Sequence, residues 1–448
     1  MFSSEYLHAC LFSFIWLFSY LRFIINLVVY YFLFKSIPVP EYPKYTPKDV
    51  TVVIPALLDE DVDSLRETIQ SCLSNEPYEL LLVTVTSNLH RAKELVASLP
   101  SNKIKVFDVA QPNKRRQMLR GIGEVTTPIT IFADDDVTWS KRTLEYMLAP
   151  FEDPNMGGVG TNQRLRTDPT SKFWHTSYYF NFLGACYLQR RNFDCIACNH
   201  LDGGLPCLSG RTVAYRTEML QDWNFMESFR NETWNGTYEQ NADDDNFITR
   251  WCFAKKRKIR MQFDRECEVQ TTLEDNVKFL KQCMRWSRSN WRSNLKSMFS
   301  EGNIWLLHPY TTYAVMQTTL TAWAPLRDLS LVYTLHHATQ GSFLEWREAA
   351  FWALSLWWLF TKFAKFIPLY LREPAYILLL PVSIIFGWLH AIFIKLPAFF
   401  TLHVALHQTT WGTRQGADLD TGYGMRPLRH NDEIYDIEEK RSLLVNNY

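Results

Sequence analysis

The chain carries no net charge: 47 basic residues balance 47 acidic ones over 448 positions. It therefore lacks the global field that recruits nucleic acid. It also lacks a cysteine framework for zinc. Nine cysteines are present, but only Cys195 and Cys198 share the C-x-x-C gap, no second such pair follows, and His200 is the sole nearby supplement. Reduced, buried thiols in a cytosolic domain are the simpler reading. No internal repeat or low-complexity stretch interrupts the chain. The first apolar run, residues 6–34, has no small-residue cleavage site and exceeds the length of a signal-peptide core, so it is expected to be retained as an anchor.

What is present in excess is aromatic: 16 Trp and 30 Phe, gathered mainly at the two ends. Residues 1–36 read as one spanning helix, with Arg22 affordable inside it only if it snorkels or faces protein. Lys35, Lys44 and Lys48 follow the run and no Lys or Arg precedes it, which predicts a cytosolic location for everything downstream. That orientation outweighs two sequons, Asn231-Glu232-Thr233 and Asn235-Gly236-Thr237. Residues 37–48 form a Pro-rich linker. Apolar content rises again over 305–410, with candidate segments at 310–335, 349–371 and 375–400, the first open to an interfacial reading because it holds Arg327 and Asp328. Between them and the soluble part, residues 278–304 alternate Arg285, Arg288, Arg292 and Lys296 with Trp286, Trp291 and Leu295, as in a helix lying at a membrane surface, its cations toward lipid head groups or an anionic ligand. A polar tail, 411–448, closes the chain.

Residues 49–277 have a βαβα rhythm. Short β-branched runs at 50–54, 80–86, 104–107 and 129–132 are bounded by turn formers, with helical spacing at 61–73 and 114–121. That predicts an α/β domain with a mostly parallel sheet and helices on both faces, binding ligands at the C-terminal strand ends. Asp134-Asp135-Asp136 stands just past such an end. Alone it is an acidic turn; there, Asp134 and Asp136 can hold a hard divalent cation, Mg²⁺ or Mn²⁺, against a diphosphate. A second cluster, Asp243-Asp244-Asp245, precedes a helix, where a capping role accounts for one carboxylate; Asp245, with Asp244 next, is the candidate general base. Lys114-Arg115-Arg116 is a basic run that near a strand end can neutralise phosphate. Gln282, Arg285 and Trp286 fall at i, i+3 and i+4 on one helix face, an arrangement in which Arg bonds a diphosphate and Trp stacks on a sugar.

In this order these motifs, with Ser209-Gly210-Arg211, Asp244 to Thr249, Gln282 to Trp291 and Trp411-Gly412-Thr413-Arg414, resemble the processive family 2 glycosyltransferases, the hyaluronan, cellulose and chitin synthase group. They look most like hyaluronan synthases and their fungal polysaccharide-synthase relatives. The resemblance implies a GT-A-type catalytic domain with transmembrane and interfacial helices, a UDP-sugar donor, Mg²⁺ or Mn²⁺, and extrusion of a growing polysaccharide by a multi-pass plasma-membrane protein. It places Lys114, Arg115, Gln282, Arg285 and Trp286 at the donor, Asp134 and Asp136 at the metal, Asp245 as base, and Trp286 with Ser209 and Gly210 at the acceptor. Two departures stand out. Thr86-Ser87 occupies the place of an Asp at the uracil-binding region, and there is one N-terminal span where hyaluronan synthases usually have two. A non-processive relative similar to ceramide glucosyltransferase, moving one sugar to a lipid, fits the same motifs. A transporter or receptor would not need two acidic clusters.

Overall fold

The computed structural model describes residues 4–402 except 59–61, 168–170, 237 and 241–242. The Trp411 to Arg414 motif and the polar tail lie outside the described residues.

The α/β core is a seven-stranded sheet in the order Lys258–Gln262, Met156–Thr161, Thr212–Arg216, Ile129–Ala133, Val50–Pro55, Glu79–Val85, Ile104–Val109. The last four strands are mutually parallel, as the βαβα rhythm requires. Their central members are buried on both faces, which explains why they read as continuous apolar runs and not as alternating ones. The expected helices form at Val62–Leu73 and Lys114–Ile122. The second starts where the Asn113 side chain accepts a hydrogen bond from Arg116 N at 3.1 Å. It lies close on the sheet because Gly121 has no Cβ; one built there would sit 2.5 Å from Val53 Cγ1.

Thr212–Arg216 is antiparallel to both of its neighbours. Its start therefore lies beside the end of Ile129–Ala133, with Ala133 paired to Thr212, and Asp134 N donates to Arg211 O at 2.9 Å. A small second sheet does the same for Asp136: Val137–Thr138 pairs with Val269–Thr271, which delivers Thr272 to the Asp136 carboxylate.

Helices cover the side of the domain that carries these strand ends. Thr176–Asp202, 27 residues long, was not foreseen from the sequence. It is buried around much of its circumference, so it shows no single apolar stripe. Ser4–Leu33 and Pro374–Phe400, of 30 and 27 residues, are the two helices long and apolar enough to cross a membrane among the described residues. The other expected segments differ. The first is broken at Thr321–Trp323, ahead of Pro325, which cannot donate to a preceding turn. The second becomes Leu344–Ala364, which carries Glu345, Arg347, Glu348 and Lys362.

Lys278–Leu295 leaves Lys278, Leu280 and Lys281 exposed, while its later cations meet protein: Arg288 Nε donates to Thr401 Oγ1 at 3.2 Å, Arg292 Nη2 to Leu402 O at 3.4 Å, and Lys296, one residue on, pairs with Glu232. Trp291 is buried against Phe399, with ring centroids 4.7 Å apart. The helix thus joins the catalytic domain to the C-terminal helices by packing.

Arg22 faces protein, one of the two options open to a charge in an apolar helix. Its guanidinium pairs with Asp194 at 3.0 Å and donates to Ala314 O and Thr318 Oγ1. Asn26, one turn on, donates to Asp194 at 2.9 Å and accepts from Tyr310 OH at 2.6 Å. The first helix is therefore pinned by polar contacts to two others. Arg22→Leu is expected to destabilise the protein by about 2 kcal/mol or more, since Asp194 keeps only part of its compensation. Arg22→Leu with Asp194→Leu should recover much of that loss. Thermal melting of the three proteins in detergent checks this, and equal melting of wild type and Arg22→Leu would refute it.

Candidate active site

The loop turns described above bring Asp134–Asp136, Ser209–Arg211 and Asp243–Asp245 to one wall of a cavity of about 1030 Å³. Lys114 stands at their centre, with Nζ 2.8 Å from Asp134 Oδ1 and 3.4 Å from Asp244 Oδ2. Burial opposes its charge, but Asp134, Asp244 and Asp245 outweigh it and hold the ammonium above the ordinary lysine range. Gly210 makes this approach possible. A Cβ there would be 3.0 Å from Asp244 Oδ2 and 3.6 Å from Lys114 Nζ. Its N–H donates to Asp245 Oδ2 at 3.3 Å, and Asn246 N donates to Asp245 Oδ1 at 2.8 Å, which fixes the carboxylate.

The acidic side is under electrostatic stress. Burial, then the charges of Asp134 and Asp135, push the Asp136 carboxyl up to about 6, although Thr272 donates to it at 2.9 Å. Burial also raises Asp243 to about 6 and moves Asp244 upward. Crowded carboxylates with raised affinity for a positive charge fit a hard divalent cation, and their oxygens suit Mg²⁺ or Mn²⁺. Among the described residues no group of three His, Cys, Asp or Glu could hold a metal ion alone. Asp134 and Asp136 would supply two oxygens, leaving the remaining positions to a ligand such as a diphosphate.

Facing the acids is the helix carrying Gln282, Arg285 and Trp286, all lining the cavity. Gln282 Oε1 and Arg285 Nε are buried and have no hydrogen-bond partner. Such orphaned groups are costly unless a ligand completes them. Trp286 is not a bare platform. It stacks on Tyr187 with centroids 4.6 Å apart and planes at 20°, and the Arg211 guanidinium carbon lies 5.4 Å from its ring centre.

Arg115 is not brought into the cavity. Fully buried, it donates to Glu232 Oε2 at 2.7 Å, Phe229 O at 2.9 Å and Asp243 O at 3.2 Å. The expectation of a phosphate contact fails because neighbours on a helix point about 100° apart, and Lys114 takes the cavity side. Arg115 instead holds the carbonyl of Asp243, whose φ of 72° is in the left-handed region. Tyr187, Arg211, Thr272 and Glu232 were missed. Arg211 belonged to the quoted Ser209-Gly210-Arg211 motif but was given no role of its own; Tyr187 had no sequence signal, since its helix was unread.

Glu232 binds three cations from three elements: Arg115, Arg250 and Lys296. Burial would raise its pKa, but Arg250, Arg115 and Lys296 together hold it down at about 2. Its contribution to stability is complete above the ordinary glutamate range and disappears as pH falls from about 4.5 towards 2. Glu232→Gln should flatten the acid limb of a stability–pH profile over that window and cost about 3 kcal/mol at neutral pH. Chemical denaturation at stepped pH measures both, and an unchanged acid limb would count against the network.

With this geometry in view, comparison with known proteins is informative. The family profile described as "Glycosyltransferase like family 2" matches residues 47–289. A "Type 2 glycosyltransferase" of Zymoseptoria tritici is 49% identical over 400 residues, 89% of this chain and 82% of that protein. Human "Hyaluronan synthase 3" is more distant, at 24% identity over 268 residues, 56% of this chain and 45% of the synthase. A mannosyltransferase from Pyrobaculum calidifontis, solved in complex with GDP-Man and Mn²⁺, superposes with a TM-score of 0.52 at 15% identity, covering 86% of this chain and 99% of that one, a likeness of fold. The chain belongs to glycosyltransferase family 2. It is a glycosyltransferase enzyme with a GT-A-like α/β fold.

Proposed function

We propose that this glycosyltransferase is membrane-embedded and processive, transferring a sugar with inversion from a UDP-sugar to a growing polysaccharide that leaves between its own helices. The observation that carries the reading is the continuity of the cavity. It runs from Asp134, Asp136 and Asp245, past Trp286, to Tyr20 on the first apolar helix and to Trp358 and Trp388 on the C-terminal helices. An acceptor lying along it has its end at the acids and its body between helices long enough to cross a membrane. The 24% likeness to a hyaluronan synthase supports the same reading.

In this proposal Asp134 and Asp136 would hold Mg²⁺ or Mn²⁺, which when bound would supply positive charge to offset that developing on the leaving diphosphate. Arg285 and Gln282 complete their hydrogen bonding on the diphosphate. Asp245 takes the proton of the acceptor hydroxyl as its oxygen bonds the anomeric carbon and the bond from that carbon to phosphate breaks, releasing UDP. The Tyr187–Trp286 pair and Arg211, beside Ser209 and Gly210, bear the acceptor sugar. Uracil recognition has no Asp at Thr86; that hydroxyl donates instead to Asp108 Oδ2 at 2.6 Å from the adjoining strand. The catalytic domain faces the cytosol.

Asp136→Asn is expected to reduce turnover by several orders of magnitude, and chelation to abolish UDP release. Full turnover in excess chelator would contradict the metal assignment. Asp245→Asn should keep UDP affinity within a few-fold while transfer collapses, whereas Trp286→Ala should lose transfer more than donor hydrolysis. UDP titration beside a turnover assay separates these outcomes; normal turnover of Asp245→Asn moves the base to Asp244. For the orientation, Asn231 and Asn235 should carry no glycan. An endoglycosidase mass shift abolished by Asn231→Gln and Asn235→Gln would reverse it.

A further inference from the structure

Asp136 owes its place to a short piece of chain. Its carboxylate accepts from Thr272 Oγ1 at 2.9 Å, and Thr272 follows Val269–Thr271, the middle strand of a sheet whose other members are Val137–Thr138 and Gln163–Leu165. Strands of two and three residues form few ladder bonds and are marginal by themselves, so whatever holds their ends decides where they lie. Thr272 stands at one end of the middle strand and Glu268 at the other. Glu268 is held from several sides: its carboxylate accepts from Arg372 Nη1 at 2.8 and 2.9 Å and from Asn162 Nδ2 at 3.0 Å, and its carbonyl accepts from Ser140 Oγ at 3.1 Å.

Asn162 and Ser140 belong to the catalytic domain, whereas Arg372 comes from the C-terminal helices. It ends Ile367–Arg372 and stands two residues before Pro374–Phe400, one of the two described helices long and apolar enough to cross a membrane. Tyr30, from the other, lines with Glu268 and Arg372 a small cavity of about 60 Å³. Both apolar helices thus reach the catalytic domain where the strand leading to Thr272 begins. An extended chain rises about 3.3 Å per residue, so Glu268 and Thr272 are about 13 Å apart with little slack between them, and a shift at one end is felt at the other. With side chains 11% and 31% exposed, the Glu268–Arg372 pair is better shielded from water than a surface ion pair. A hydroxyl donated to a metal-binding carboxylate fixes the direction of its oxygens, which is the link between this junction and the cation site.

We infer that Glu268 and Arg372 are positioning residues for the cation site: their ion pair seats the strand Val269–Thr271 against the C-terminal helices and, through Thr272, sets the Asp136 carboxylate. Affinity for Mg²⁺ or Mn²⁺ is thereby tied to the docking of the apolar helices on the catalytic domain, although Thr272 lines the cavity that holds Asp136 and neither Glu268 nor Arg372 does. This rests on the assignment of Asp134 and Asp136 to the cation made above.

The test titrates the full-length protein in detergent with Mn²⁺ at saturating UDP and reads unbound Mn²⁺ from its EPR signal, with thermal melting of every variant alongside. Wild type should bind Mn²⁺ and Asp136→Asn should not. Arg372→Ala and Glu268→Gln should each weaken Mn²⁺ binding about tenfold or more, as is usual when a partner that orients a metal ligand is lost. Arg372→Lys, which keeps a cation for Glu268, should restore it. Thr272→Val should weaken binding by at least as much and Thr272→Ser should restore it. Arg372→Ala combined with Thr272→Val should bind no more weakly than Thr272→Val alone, because both act through one hydroxyl. Unchanged Mn²⁺ affinity in folded Arg372→Ala and Glu268→Gln overturns the inference and leaves the metal assignment intact. So does an additive loss in the double variant, which makes the pair a general support of the fold. A wild type that binds no Mn²⁺, or an Asp136→Asn that binds it as tightly, overturns the metal assignment itself and this inference with it. Glu268→Gln is isosteric, so the result stands even where Arg372→Ala does not fold.

Discussion

A single buried carboxylate, Glu232, holds the catalytic parts in register. Lys114–Ile122 carries Lys114 and ties to it through Arg115; Asp244–Ala254 carries Asp245 and ties through Arg250; Lys278–Leu295 carries Arg285 and Trp286 and ties through Lys296 just past its end. Arg250 adds Ser293 Oγ at 2.6 Å and Glu301 at 3.0 Å, so the second and third helices are stitched twice. Buried ion clusters contribute modestly to net stability, but their hydrogen-bond geometry is demanding, and three forked or mobile donors on two oxygens leave little freedom in how the helices sit. The basic residues that looked like ligand contacts in the sequence are, in Arg115, scaffold.

That scaffold supports a site with opposed charge. At one end burial and neighbouring carboxylates push Asp136 and Asp243 up to about 6, while Lys114 pairs with Asp134 and Asp244. Opposite them Arg285 and Gln282 keep buried groups without partners. Neither arrangement is stable-looking in isolation; each is what a cation and a diphosphate would complete, and a site of this kind spends stability to be ready for its ligand. Family 2 membership and the GT-A-like fold agree with such a site.

The parallel half of the sheet, the helices at Val62–Leu73 and Lys114–Ile122, the first apolar helix and the placement of Asp134–Asp136 past a strand end were legible, because local periodicity and β-branched runs report elements whose faces are uniformly buried or evenly divided. Thr176–Asp202 was not, since a helix enclosed on several sides has no stripe to read. Nor could the sequence reveal that Arg288 and Arg292 turn toward Thr401 and Leu402, because an amphipathic pattern states that two faces differ and is silent on which neighbour each face meets.

Composition and local pattern alone determined the chemical kit: acidic clusters after a strand and before a helix, a Gln, Arg and Trp on one helical face, and apolar ends. Tertiary structure decided how the kit is used. The antiparallel insertion of Thr212–Arg216 sets Arg211 beside Asp134, 77 positions earlier in the chain, Tyr187 arrives under Trp286 from a separate helix, and Arg115 is diverted to Glu232 while Lys114 faces the acids. The physical reason is that a side chain's direction relative to a distant element depends on strand polarity and helix rotation, which are fixed by packing and by long-range pairing that no local window contains.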